Sequence, residues 1–220
     1  MSEIKAVIFD KDGTLHDTEK IFVEAWSLAA EELSVPDIES TVQDCTGMPL
    51  QDIARYWAVK YPTIPFEDYI ARRQYHFERL TADGVPVKPE THRVLSTLRE
   101  RGYRIGMATS TGETKVLEHL RRTNMLAYFD EGAIITGDMV EHGKPSPDIF
   151  LLCAERLGVA PHEVIGVEDS ANGVRAIHAA GMRAVMIPDI VLPTAELLSL
   201  AWRRCENLTE LLDLPELGGC

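Results

Sequence analysis

The reading turns on residues 4–14, Ile4-Lys5-Ala6-Val7-Ile8-Phe9-Asp10-Lys11-Asp12-Gly13-Thr14. From Ile4 to Phe9 the chain is nearly continuously apolar and rich in β-branched residues, the pattern of a strand buried on both faces. The run stops at Asp10, and turn-type residues follow. In a parallel sheet the carboxyl ends of the strands form the ligand crevice. Two side chains two residues apart on an extended segment point the same way, so Asp10 and Asp12 are both expected to face that crevice. The same residues would also serve as an ordinary turn after a strand.

Working outward, three more runs resemble the first: Arg104 to Ala108, Val164 to Val167 and Ala184 to Ile187, with a weaker one at Gly132 to Ile135. Helical patterns separate them. Thr91 to Arg101 carries Val94, Leu95 and Leu98 on one face, and Glu113 to Arg122 carries Val116, Leu117 and Leu120. Pro147 to Leu157 and Ala171 to Ala180 complete the set. Strands alternating with helices of this length predict an α/β fold, a Rossmann-like parallel sheet with helices on both faces. Residues from about Asp17 to Val85 break the rhythm. They contain no buried-strand run, and amphipathic stretches fall at Thr18 to Leu33, Leu50 to Tyr61 and Phe66 to Thr81, with Pro36, Gly47-Met48-Pro49, Pro62 and Pro65 between them. The expected organisation is a core of residues 1–16 and 86–220, with an all-helical insert over 17–85.

Composition narrows the function classes. The chain has 220 residues, 45% of them hydrophobic, enough for a packed core. Its 22 basic and 35 acidic residues leave a formal charge of −13, which would repel a nucleic-acid backbone. A small phosphorylated molecule stays possible, because local cations and a metal can override the global field. Cys45, Cys153, Cys205 and Cys220 have no metal-type spacing and are too few for a disulfide scaffold. The N-terminal apolar run is too short for a signal peptide or a membrane span, so a cytoplasmic protein is expected, as a monomer or weak homo-oligomer.

Further signals lie at the ends of the later strands. Ala108-Thr109-Ser110-Thr111 puts hydroxyls at one carboxyl end, where Thr109 could donate to a phosphate oxygen; equally, Ser110 or Thr111 could cap the next helix. Gly143-Lys144-Pro145 holds a lysine on a stiff turn, though a lone lysine is more often simply solvated. Glu168-Asp169-Ser170 follows a buried strand, and two adjacent carboxylates there are costly unless paired, exposed or bound to a hard cation. Asp169 or Ser170 could instead cap the following helix.

The order of these features, acidic pair, hydroxyl, lysine, acidic pair, resembles the haloacid dehalogenase superfamily in its phosphatase and β-phosphoglucomutase-like branch. The matching motifs are FDKDGT at Phe9 to Thr14, ATS at Ala108 to Ser110, GKPSPDIF at Gly143 to Phe150 and GVEDSANGV at Gly166 to Val174, and the likeness runs on through Ala179 to Asp189. The helical insert after the first motif looks like the family's cap domain. The resemblance implies a Mg²⁺-dependent phosphatase acting on a small phosphorylated metabolite of sugar-phosphate, phosphoglycolate or nucleotide-monophosphate type. Asp10 would be the nucleophile, forming an aspartyl-phosphate, and Asp12 the acid–base, needing a raised pKa to act first as acid. The implied metal ligands are Asp10, the backbone carbonyl of Asp12, and Asp169, with Glu168 in support. Thr109, Lys144 and backbone N–H groups near Gly13 and Ser110 would hold the phosphoryl group.

Two alternatives stand beside this reading. A sugar-phosphate mutase of the β-phosphoglucomutase type would carry a histidine where this chain has Phe22, and an arginine in the cap loop that is missing here. A non-catalytic binding module would have lost an Asp, the Lys or an acidic ligand, and all are present. Candidate substrate-contacting groups on the insert are Lys20, Arg55, Arg72, Arg73, Phe22, Trp26, Tyr56, Trp57 and Tyr69, with Trp26 and Trp57 better suited to its core. The loop Gly47 to Asp52 is expected to set specificity. Lys88-Pro89-Glu90 departs from the relatives, which usually have Gly after the Pro, and is expected to affect only a helix start.

Overall fold

A computed structural model describes residues 3–45, 50–82, 84–189 and 193–219. Gly47 to Pro49 of the expected specificity loop lie outside these residues. The chain divides into two compact units, Met1–Asp17 with Val85–Cys220, and Thr18–Gly84.

The first unit is built on a six-stranded parallel sheet of order β3-β2-β1-β4-β5-β6. The strands are β1 (Ala6–Phe9), β2 (Arg104–Thr109), β3 (Ile134–Thr136), β4 (Val164–Glu168), β5 (Arg183–Met186) and β6 (Arg203–Arg204). Strand β1 lies centrally, with Phe9 level with Met107 on one side and Val167 on the other. Alternation along β1 divides the core. Val7 and Phe9 join Ile105, Met107, Ile165 and Val167 in the layer under α5 (Thr91–Glu100) and α6 (Glu113–Arg122). Ala6 and Ile8 join Ala108, Ile135 and Ala184 under α7 (Asp148–Leu157), α8 (Ala171–Ala179) and α9 (Ala195–Leu200). A two-residue side-chain period on a strand covered on both faces produces two apolar layers of this kind. Gly106 in β2 and Gly166 in β4 let helices approach closely, since a Cβ there would stand 2.4 Å from Cys153 Sγ and 2.7 Å from Ile177 Cγ1.

Strand β6 and the 3₁₀ turns near the C-terminus were not expected. Two exposed arginines carry no apolar periodicity, so only the pairing of Val185 with Arg203 reveals a strand. The turn before α5 holds Glu90 at φ 65°, the left-handed region where glycine is favoured. The chain's two passages into and out of the second unit run side by side. The Asp17 N–H donates to the Pro86 carbonyl and the Lys88 N–H to the Leu15 carbonyl, each at 2.9 Å. Lys88 Nζ then ties Asp17 (3.4 Å) to Asp189 (2.6 Å) beyond β5.

The second unit is all-helical: α1 (Glu19–Glu32), α2 (Ile38–Cys45), α3 (Leu50–Lys60) and α4 (Phe66–Leu80). Its core gathers Ala29, Ala30, Val35, Trp57, Tyr61 and Tyr69. Trp57 is fully buried and its indole N–H donates to the Ile64 carbonyl at 2.8 Å, while the Tyr69 hydroxyl donates to the Trp26 carbonyl at 2.9 Å. These three aromatics are therefore framework. Helix α2 was missed because eight residues with only a few apolar side chains give too little periodicity.

Candidate active site

Asp10 is the first residue past β1, and its N–H continues the ladder by donating to the Val167 carbonyl at 2.9 Å. That bond fixes Asp10 beside the end of β4, where Glu168 and Asp169 emerge. One oxygen from each of Asp10, Glu168 and Asp169 lies within 4.8 Å of the others. Lys144, carried on the turn before α7, reaches into the group. Its Nζ donates to Asp10 Oδ1 (2.5 Å), Glu168 Oε1 (2.7 Å) and the Ala108 carbonyl (2.9 Å). Four segments far apart in sequence thus meet at one end of the sheet.

Small residues make this closeness possible. Gly13 has φ 82°, and a Cβ on it would stand 2.3 Å from Asp169 Oδ2. A Cβ on Gly173, in the first turn of α8, would fall 1.7 Å from Glu168 Oε1. Glu168 accepts from the Ser170 N–H at 2.7 Å, and Ser170 caps α8 by accepting from the Gly173 N–H at 3.1 Å, as expected. The Thr14 hydroxyl donates to Asp169 Oδ1 at 3.0 Å, tying the first motif to the last. Thr14 and Gly173 were not singled out from the sequence, although a glycine inside a helical pattern is a recognisable signal of close packing.

Burial and charge set the protonation pattern. Burial is the largest influence on Asp10. With help from Glu168 and Asp12, and against the attraction of Lys144, it pushes the carboxyl up to about 7. Burial works against the Lys144 charge, but Asp10 and Glu168 outweigh it and hold the ammonium above its ordinary value. Asp12 departs from expectation. Its carboxylate does not join the cluster of three; Oδ1 accepts from Lys11 Nζ and Oδ2 from the Thr111 hydroxyl, each at 2.6 Å. Burial opposes its ionisation, yet these two partners win and lower its pKa. In the metal-free protein the proton therefore favours Asp10, the reverse of the order expected from a crowded anionic site, because the nearest charge to Asp12 is a cation.

Other details differ from the sequence reading or add to it. The Gly13 N–H donates to the His16 carbonyl at 2.9 Å, closing a turn, and the missing side chain leaves room for Asp169. Neither Ser110 nor Thr111 caps α6. Gly112 takes the cap position without a side-chain bond, and Asp138 accepts from the Glu113 N–H at 3.3 Å instead. Lys11 was passed over, yet it is fully buried. The signal was its place between two acids that share one face, which sends it to the other. Thr109 is buried at the end of β2, with its oxygen accepting from the Thr111 N–H at 3.2 Å. Ser110 beside it is exposed, and its backbone passes so near Gly137 that a Cβ there would stand 2.6 Å from the Ser110 carbonyl.

The donor set fits a hard divalent cation. Three carboxylates converge around a single lysine, leaving excess negative charge in a buried place, and oxygen-only ligands are what Mg²⁺ takes. On the second unit, Arg55 pairs with Asp52, Arg72 with Glu32, and the Tyr56 hydroxyl donates to Asp44. Arg73 lies over the Trp26 ring at 5.2 Å, and Lys20 is exposed.

This arrangement agrees with what the chain is similar to. A family model described as haloacid dehalogenase-like hydrolase matches residues 4–181. A phosphorylated carbohydrates phosphatase of Thermotoga maritima is 33% identical over 186 residues, covering 83% of this chain and 84% of the relative. β-Phosphoglucomutase of Bacillus subtilis is 31% identical over 190 residues, covering 83% of this chain and 82% of the enzyme. A crystal structure of a family hydrolase from Deinococcus radiodurans, with bound phosphate and sodium, superposes with a TM-score of 0.79 at 26% identity, over 99% of this chain and 98% of that one. The chain belongs to the haloacid dehalogenase-like hydrolases and is a phosphoric monoester hydrolase of that family.

Proposed function

We propose that this enzyme is a Mg²⁺-dependent phosphatase of a small phosphorylated metabolite, a sugar phosphate first among the candidates, working through an aspartyl-phosphate on Asp10. The observation that carries the reading is the convergence of Asp10, Lys144, Glu168 and Asp169 at the ends of β1 and β4. The substrate class rests on the phosphorylated carbohydrates phosphatase of T. maritima.

Asp10, Asp169 and the Asp12 carbonyl would hold the metal, with Glu168 in support. A bound Mg²⁺ supplies charge neutralisation and orientation for a phosphate dianion. In the first step a carboxylate oxygen of Asp10 bonds to phosphorus, the ester P–O bond breaks, and the leaving oxygen takes a proton from Asp12, whose lowered pKa in the free enzyme the charge of a bound phosphate dianion would raise. In the second, Asp12 takes a proton from water as the water oxygen bonds to phosphorus and the Asp10–phosphorus bond breaks. Lys144, held to Asp10 at 2.5 Å, orients the nucleophile and offsets charge on the transferring group. Thr109, buried at the end of β2, would donate its hydroxyl to a phosphoryl oxygen.

Hydrolysis is favoured over the mutase reading by Phe22, the residue at the position of the mutase histidine. Its ring stacks on Phe77 with centroids 4.2 Å apart, and it has no group to exchange a proton. The test is a panel of metabolite phosphate esters with Mg²⁺, scored for free phosphate. Release should vanish with chelator and fall by roughly a thousandfold or more in Asp10→Asn, the scale of loss when a covalent nucleophile is removed. Parent-like hydrolysis by Asp10→Asn overturns the nucleophile. Isomerisation of glucose 1-phosphate without free phosphate, followed by phosphorus NMR, overturns the hydrolase.

A further inference from the structure

Lys11 lies between the two acids of the first motif with no solvent exposure. A buried ammonium costs several kcal/mol unless it is paired, and among the described residues its ion pair is with Asp12, Nζ to Oδ1 at 2.6 Å. Burial first, and the Lys11 charge after it, disfavour protonation of the imidazoles of His16 and His119. Among the described residues neither nitrogen of the fully buried His16 ring is hydrogen-bonded. Opposite Lys11, the Thr111 hydroxyl donates to the second oxygen of the same carboxylate at 2.6 Å. Asp12 is gripped on both oxygens, by one cation from its own motif and one hydroxyl from the loop after β2.

We propose that Lys11 and Thr111 are positioning residues that fix the Asp12 carboxyl for proton transfer to the leaving oxygen. The inference rests on the reading of Asp12 as the acid–base. Lys11, with no solvent exposure, acts through Asp12; Thr111 acts through the second oxygen of the same carboxylate. A positioned acid matters when the leaving group is a poor one. An alkoxide from a sugar phosphate needs the proton as the P–O bond breaks, whereas the phenolate of p-nitrophenyl phosphate leaves without it.

The test is kcat/KM, which reports the first chemical step, for the Mg²⁺-loaded enzyme on the best alkyl phosphate of the panel and on p-nitrophenyl phosphate. Lys11→Met and Thr111→Val should each lose roughly tenfold or more on the alkyl ester and less than about threefold on the aryl ester, a fraction of what a general acid supplies. Thr111→Ser, which keeps the hydroxyl, should recover most of the loss. Asp12→Asn is the reference and should be more selective still. If Asp12→Asn loses equally on both esters, the acid–base reading fails and the positioning roles fall with it. If Asp12→Asn is selective but Lys11→Met and Thr111→Val lose equally on both esters, or lose nothing, the positioning roles alone are overturned. Thr111 is partly exposed, so its variants keep the test decisive should Lys11→Met fold poorly.

Discussion

Asp10 and Asp12 stand two residues apart and are perturbed in opposite directions, which makes Asp10 visible in stability as well as in activity. Its pKa is raised from 3.8 to about 7 in the metal-free protein, first by burial. A folded-state pKa above the unfolded value contributes stability that is complete below pH 3.8 and is lost as the pH rises through about 7. His16 works in the other sense. Burial and Lys11 push it down to about 3, so its contribution is present above 6.5 and is lost as the pH falls. Comparing the parent with Asp10→Asn separates the two, because His16 is common to both. In chelator, the Tm of Asp10→Asn relative to the parent should climb between pH 4 and 8, by the equivalent of about 2–4 kcal/mol. Thermal melts across that range check it; a flat difference would remove the excess negative charge from the account of the site. At this scale the sequence displayed the acids and the hydroxyl, because they stand at the ends of apolar runs, and the lysine, because Gly143 and Pro145 flank it on a stiff turn. It hid the grip on Asp12, because a pairing between residues 12 and 111 has no local signature.

Elements were legible where they carry a buried periodic face and obscure where they do not. Strand β2 and helix α6 were readable almost residue by residue, since Ile105, Met107, Val116 and Leu120 all point into one layer. Helix α2 and strand β6 are short and polar, and owe their places to neighbours. The start of α5 joins both cases. The departure at Glu90 was visible in sequence, and its consequence is more than a shifted helix boundary, because Glu90 sits at φ 65°. A side chain in that region costs about 1–2 kcal/mol, partly offset in glycine by the greater freedom of its unfolded chain. The exposed ion pair of Glu90 with Arg93 adds little. Glu90→Gly should therefore stabilise the protein by about 0.5–1 kcal/mol, a rise in Tm of roughly 1–4 °C for a chain of this size. Differential scanning calorimetry decides it. A lower Tm would mean that the Glu90 side chain contributes more than its exposed contacts account for.

For the whole molecule, charge is the feature most directly tied to function. The chain carries −13 overall, and the site repeats the imbalance, with Asp10, Asp12, Glu168 and Asp169 against two buried lysines that are already paired. A phosphate ester approaching this surface is a dianion meeting a repulsive field, both at long range and on arrival. A bound Mg²⁺ would correct the field only locally. Encounter should therefore quicken as salt screens the long-range part, the reverse of what an electropositive funnel gives. At saturating Mg²⁺, raising KCl from about 10 mM to about 150 mM shortens the screening length from roughly 30 Å to 8 Å. Over that range kcat/KM for a phosphate ester should rise roughly two- to fivefold, chiefly through KM, while kcat moves little because chemistry occurs inside the neutralised site. Steady-state kinetics over a salt series, with chloride varied and free Mg²⁺ fixed, measures this directly. A falling kcat/KM would mean that local cationic groups outweigh the net charge and draw the substrate in.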